Sequence, residues 1–405
     1  MDEGLVELHF NNYKSDNFEN DLQFSKVTSD LPQRRRMSEE KLESVLVTGG
    51  CGFIGYHLIS KILEVEPNCK ISVLDLPTSL PRFPSVTYHE IDITDKFSVQ
   101  QALQQIQPRV IFHAACTYSL SLPASTHSRI NTQGTLNLLS AAQTLDSVKA
   151  LIYHSSSSVI EDGYSPLLHA SESTPVLFSP AQKFPYPLSK ALAEKAVLDA
   201  NRKHGFLTVS IRPAGTFGEA DEEMMGKLLG VARMGRAGVR MGDGGNVYDF
   251  LYVGNLVVAH LLAARKLLAV SLKDGDESGM EIGGEEREKV DGEAFHVTND
   301  EPWLFWDFTR AVAKEAGYEV KESEIKVIPR WVGMLMAFLA EWWVWIVSFG
   351  ARESSLTRHG VRYSTLTRTL NIEKAKRRLG YKPIYSMQEG VERSVAWYRD
   401  NGKLK

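Results

Sequence analysis

Tyr186 and Lys190 stand four residues apart in "YPLSKALAEK". On a helix this spacing puts both side chains on one face, roughly 5–6 Å apart at Cβ. A phenol ionises near ~10 when nothing perturbs it, so it is a poor base at neutral pH. An ammonium beside it, together with a positive nicotinamide ring, favours the phenolate and brings that value down. Tyr186 can then take the proton of an alcohol while hydride leaves the carbinol carbon for the nicotinamide. Upstream, "LIYHSSSSVIEDG" sets four serines at the end of a strand-like run, where one hydroxyl can hold the same oxygen. A tyrosine and a lysine at this spacing are common by chance. The order of segments around them gives the pair its meaning.

That order begins with "SVLVTGGCGFIGYHLISKIL", which passes from a β-branched run through glycines to apolar positions at helical spacing. Gly49, Gly52 and Gly55 form a G-x-x-G-x-x-G loop between strand and helix. The first allows a tight turn, the second lets backbone approach a pyrophosphate, and the third lets helix and strand pack closely. "KISVLDLP" reads as a second strand ending at Asp75, 20 residues after Gly55. A carboxylate there accepts hydrogen bonds from the adenosine ribose and repels a 2′-phosphate. No arginine immediately follows it, so the cofactor expected is NAD. "VTYHEIDITD" supplies a third strand ending near Asp92, and "RVIFHAA" a fourth, with helical patterns between them. Alternation of this kind predicts a Rossmann-type, doubly wound parallel α/β sheet with a smaller, partly helical C-terminal substrate region.

The full order of glycine loop, Asp75, serine cluster, Tyr186 and Lys190 resembles the extended short-chain dehydrogenases. Within them it resembles the 3β-hydroxysteroid dehydrogenase group, over roughly residues 44–400. The likeness rests on "VTGGCGFIG", "SSSSVIEDG", "YPLSKALAEKAVL", "IRPAGTFGEAD", "VYDFLYVGNLVVAHLLAA", "AFHVTNDEPWLFWDF" and "AKRRLGYKP". It implies Ser156 as the catalytic serine, with Ser155, Ser157 and Ser158 as open registers, and Asn131 in support of the proton path. It also implies cofactor contacts at Phe53, Ile54, Asp92, Ile93, Ala114 and Pro213 besides Gly49, Gly52, Gly55, Asp75, Tyr186 and Lys190. The activity implied is NAD-dependent oxidation of the 3β-hydroxyl of a 4α-carboxysterol or sterol-like triterpenoid, with loss of the carboxylate as carbon dioxide. A homodimer, a place in a sterol C4-demethylation complex, and the cytosolic face of the endoplasmic reticulum or lipid droplets are implied with it.

Rival readings stay open on the sequence. A 3β-hydroxysteroid dehydrogenase/isomerase, or a triterpenoid dehydrogenase without decarboxylation, shares every motif. A nucleotide-sugar epimerase shares the catalytic trio, and Arg233, Arg236 and Arg240 offer bases for a second pyrophosphate. A non-catalytic, NAD-sensing binding protein on this scaffold typically lacks the tyrosine or the lysine.

Composition narrows the field. With 46 basic and 50 acidic residues among 405, the chain shows no electrostatic footprint for nucleic acid. Cys51, Cys69 and Cys116 have neither disulfide-framework nor metal-ligand spacing, which favours a reducing compartment. Residues 1–43 read as a disordered polar arm. The NAD domain is expected over 44–220 with a return near 246–268, and the substrate region over 221–405. An acidic, Gly-rich stretch, 271–293, reads as a mobile loop.

One segment fits none of this. "WVGMLMAFLAEWWVWIVSF", 331–349, carries four of seven tryptophans and one charge, Glu341. As a helix it is about 28 Å long, at the short limit for a bilayer core. Gly333, Ala337, Ala340, Glu341, Val344 and Ser348 fall on one narrow face, and bulky residues cover the rest. A helix that docks its small face on the protein and presents aromatics to headgroups matches this pattern. Arg330 and Arg352 flank it to meet anionic lipid. Plain core and a full span are the alternatives.

Overall fold

The central strands pair as they do because they are apolar and buried on both faces. The computed structural model describes residues 40–404 except 79, 119–121, 275–288, 350, 351 and 353. Its main sheet holds β1 (Ser44–Thr48), β2 (Lys70–Asp75), β3 (Val86–Glu90), β4 (Val110–His113), β5 (Ala150–His154), β6 (Leu207–Pro213) and β7 (Glu293–Val297). The order is β7-β6-β5-β4-β1-β2-β3 and every pair is parallel. β4, β5 and β6 are buried at every residue, as a sheet covered by helices on both sides requires. α1 (Phe53–Val65) and α5 (Val253–Asp274) cover one face; α2 (Lys96–Ile106), α3 (Gly134–Ala142) and α4 (Pro185–Asp199) cover the other. The strand order reverses between β1 and β4, so a crevice opens there at the carboxyl ends, the usual ligand position of such sheets.

Three boundaries differ from the expectation. The disordered arm was drawn to residue 43; residues 1–39 lie outside the described ones, but Leu42 is fully buried and its N–H donates to Glu66 Oε2 at 2.9 Å. A core-facing side chain and one long-range hydrogen bond thus fix Leu42, inside the expected arm, to the nucleotide fold. The acidic stretch 271–293 is shorter than drawn: α5 runs to Asp274, Glu293 opens β7, and 275–288 lie outside the described residues. β7 itself extends the sheet beyond the expected 44–220 and 246–268.

Small sheets assemble the C-terminal part against the carboxyl end of the main sheet. One joins Trp303–Leu304, Val247–Tyr248, Arg368–Leu370 and Leu167–Ala170. The tryptophan-rich segment is helical, α6 (Arg330–Ser348), and packs on α7 (Arg358–Tyr363). Gly333 and Ala337 are its buried residues. A Cβ on Gly333 would sit 3.4 Å from Met241 Sδ and 3.5 Å from Val361 Cγ1. Glu341 leaves the lipid question by pairing with Arg358, Nε to Oε2 2.6 Å. The docked face is the small-residue face read from the sequence. Trp331, Trp342, Trp343 and Trp345 are 52–71 % exposed, which rules out plain core.

Candidate active site

α4 begins at Pro185, whose fixed φ and missing N–H suit a first helical turn. Tyr186 and Lys190 lie on its first two turns, against the end of β5. There Ser156 caps a short 3₁₀ turn, Ser157–Ile160. Its Oγ accepts from the Ser158 N–H (3.2 Å) and the Ser158 hydroxyl (2.9 Å), and it is near enough to the Tyr186 phenol to favour the phenolate. Ser157 instead donates to Glu161 Oε1 at 3.4 Å, and the buried Ser155 Oγ has no partner. Of the four registers, Ser156 is the hydroxyl that meets the phenol.

The lysine differs from expectation. Its side chain is 1 % exposed; the ammonium donates to the His154 carbonyl and lies 4.4 Å from the centre of the Tyr153 ring. Tyr186 is pushed above the usual phenol range by burial first, then by Cys116 and Glu161, and only the neighbouring Ser156 hydroxyl pulls it down. The expected lowering by Lys190 is therefore not in place, because the ammonium is turned to a carbonyl and a ring.

Asn131 sits on a six-residue π-helix, Ser128–Gln133, an arrangement frequent at functional sites. Its Oδ1 accepts from the Thr117 N–H (2.8 Å), and its Nδ2 donates to the Thr117 carbonyl and to Ser189 Oγ (both 2.9 Å). Ser189 in turn donates to the Tyr186 carbonyl at 2.8 Å. Asn131 thus ties the loop after β4 to the catalytic helix.

The glycine loop is built to admit a phosphate. Gly49 has φ +72°, and a Cβ there would lie 2.6 Å from Ala115 N. A Cβ on Gly55 would lie 2.2 Å from the Gly49 carbonyl, so only glycine lets α1 sit this close. Gly52 caps α1 without a side-chain bond and no acid occupies the first turn, which begins Phe53-Ile54. The N–H groups there suit an anion. Asp75 ends β2 and accepts from Cys51 N–H (2.9 Å) and Leu76 N–H (2.8 Å); burial raises its pKa against these bonds. Asp92 lies two residues past β3 and caps Thr94, and Ile93 is buried with its carbonyl held by Asn137 at 3.1 Å. Ala114 follows β4 and Pro213 ends β6, so all these positions border one crevice.

Four residues near this site gave no signal as a motif. His113 bridges Thr48 (2.7 Å) and Thr135 (2.8 Å), joining β1 to the helix after Asn131. His127 sets its ring 5.9 Å from that of Tyr186. Cys116 is among the charges felt by Tyr186 and Lys190, and Tyr153 lies under the ammonium. Pairing across the sheet brings His113 and Tyr153 there, the loop after β4 brings Cys116 and the short helix Ala124–His127 brings His127, and no local spacing reveals any of it.

The architecture is that of the nucleotide-sugar short-chain dehydrogenase fold. UDP-glucose 4-epimerase of Thermotoga maritima matches 88 % of this chain and 99 % of its own, with TM-score 0.64 and 21 % identity. The dTDP-glucose 4,6-dehydratase of Bacillus anthracis, solved with NAD, gives 0.63 and 19 %, covering 89 % and 97 %. This fold and its glycine crevice define a protein that binds a nicotinamide dinucleotide. The chain belongs to the 3-beta hydroxysteroid dehydrogenase/isomerase family, which it matches over residues 46–327. It is 35 % identical to the Candida albicans sterol-4-alpha-carboxylate 3-dehydrogenase ERG26, decarboxylating, over 89 % of this chain and 99 % of that one. The human sterol-4-alpha-carboxylate 3-dehydrogenase, decarboxylating, is 29 % identical over 94 % of each.

Proposed function

We propose that this chain oxidises the 3β-hydroxyl of a 4α-carboxysterol, or a sterol-like triterpenoid, with NAD, and that the product loses its C4 carboxylate as carbon dioxide during sterol C4 demethylation. The observation that carries the reading is the Ser156 hydroxyl set to act on the phenol of Tyr186, which shares its helix with Lys190, in a chain similar over its length to enzymes named for that reaction.

The bound dinucleotide supplies the hydride acceptor for C3. Ser156, with its oxygen already accepting from Ser158, has its own hydrogen to give to the sterol oxygen. Tyr186 takes the hydroxyl proton. Lys190 holds the cofactor ribose, and turning from the His154 carbonyl toward the phenol it favours the phenolate. The chain's burial of these groups strengthens each such interaction. The ketone formed beside the carboxylate is a β-keto acid, whose carbonyl accepts the electrons released as carbon dioxide leaves. NAD rather than NADP follows from Asp75 at the end of β2. Arg82, the first base after it in sequence, is paired with Glu90 at 2.5 Å.

The exposed face of α6 supports monotopic attachment to a membrane surface, where the sterol is dissolved, on the cytosolic face of the endoplasmic reticulum or on lipid droplets. The homodimer and the C4-demethylation complex rest on the family resemblance.

Purified protein with NAD and a panel of 4α-carboxysterols and plain 3β-hydroxysterols tests the reading by product mass. Loss of one carbon dioxide per hydride is expected. Oxidation of the carboxylated substrates without carbon loss would replace it with a simple 3β-dehydrogenase.

A further inference from the structure

Lys190 is a cation sealed in the protein with few groups to balance it. Glu194, one turn along α4, is committed to Arg212 (2.6 Å) and Ser210 (2.7 Å). The other groups around the lysine are Cys116 after β4, His113 on β4, His154 on β5 and His260 on α5. Those three histidines are held neutral by burial, so none is an anion. What directly covers the ammonium is the His154 carbonyl and, at 4.4 Å, the ring of Tyr153.

Tyr153 is placed for its face and not for its hydroxyl. The residue is 1 % exposed, and its hydroxyl is buried without a hydrogen-bond partner. Burying a polar oxygen unpaired costs free energy that a phenylalanine would avoid. The ring is seated against His113 at 5.4 Å, and His113 is locked between Thr48 and Thr135. A cation over a desolvated aromatic face is held by the ring quadrupole.

We infer that the π face of Tyr153 keeps Lys190 charged in the closed site, which makes Tyr153 a positioning residue for the proposed oxidation. The inference rests on the reading that Lys190 holds the dinucleotide ribose. A neutral lysine would lose both its charge-assisted bonds to that ribose and its pull on the Tyr186 phenol.

The test is a fluorination series at one site: Tyr153→Phe as the reference, then the mono-, di- and trifluorinated phenylalanines, which keep the shape and drain the ring face. NADH affinity of the full-length protein is followed by nucleotide fluorescence from about pH 6 to 11, a window that reaches past the ordinary lysine value of about 10.4. As support weakens, Lys190 releases its proton more readily. The pH at which NADH binding weakens should therefore fall stepwise, by about one unit across the series. Melting curves identify any variant that fails to fold, and the remaining members still define the slope. A midpoint that stays put across the series overturns the inference. NADH binding needs no sterol, so this outcome is separate from failure of the sterol reading, which would appear as absent turnover with the slope intact.

Discussion

Two helices of this protein are equally apolar over 19 residues, and they end in opposite surroundings. Val253–Ser271, within α5, is 61 % buried, and Arg330–Ser348, which is α6, is 11 % buried. Composition and length do not separate them. Distribution does: α5 carries Leu256, Ala259, Ala263, Ala264, Leu267 and Leu268 fully buried against β5, β6 and α1. On α6 the small residues form one thin stripe, and a wall of tryptophan, leucine and isoleucine is exposed among the described residues. The first helix belongs to the nucleotide fold. The second is an addition facing outward.

The sharpest way to break this contrast is a matched pair of charges. Ala263→Asp would bury an unpaired carboxylate in α5 and should lower stability by several kcal/mol, enough to prevent folding. Leu339→Asp, at a position 57 % exposed on α6, should leave the folding stability within about 0.5 kcal/mol of wild type. Equal damage from both would mean that α6 is covered in the working protein.

Replacing Trp331, Trp342, Trp343 and Trp345 with Ala should weaken partitioning to liposomes by roughly a hundredfold, or about 3 kcal/mol, while NADH binding persists. Turnover of detergent-dispersed sterol should survive and turnover of bilayer-embedded sterol should fall. Wild-type protein that ignores liposomes would remove the membrane reading.

The buried helix also has an acid weakness that α6 lacks. Burial holds His260 at about 4, and His113 and His296 at about 3. Their folded values lie below the unfolded one near ~6.5, so the unfolded chain takes up protons first as pH falls. Stability present above ~6.5 is then lost progressively down toward ~4, and His260→Gln should flatten that slope by on the order of 2 kcal/mol. Chemical-denaturation midpoints against pH measure it, and a slope unchanged by the substitution would count against the buried-histidine account. The smallest effect belongs to α6: its Glu341–Arg358 pair is partly exposed, so Glu341→Gln should cost no more than about 1 kcal/mol in the same assay.

What the sequence made legible follows the same divide. Local chemistry could be read: the glycine loop, Asp75 at a strand end, Tyr186 and Lys190 on one helical face, and the small stripe of α6. Relations across the sheet could not. Nothing in "LIYHSSSS" says which serine meets the phenol, because a 3₁₀ turn, not a continuing strand, sets their directions. Nothing in the spacing says that Lys190 would rest on Tyr153 and the His154 carbonyl. β7 escaped because its pairing with β6 joins Val209 to Glu293, across a long stretch of chain that includes the acidic segment.

The central claim is that Tyr186 removes the sterol proton in an oxidation that must precede carbon dioxide loss. The most direct measurement counts NADH formed and carbon dioxide released from one 4α-carboxysterol, by wild type and by Tyr186→Phe. Wild type should give one of each, and the variant should lose at least about a thousandfold in both while still binding NADH. Carbon dioxide released without NADH, or near-normal turnover by the variant, would contradict the account.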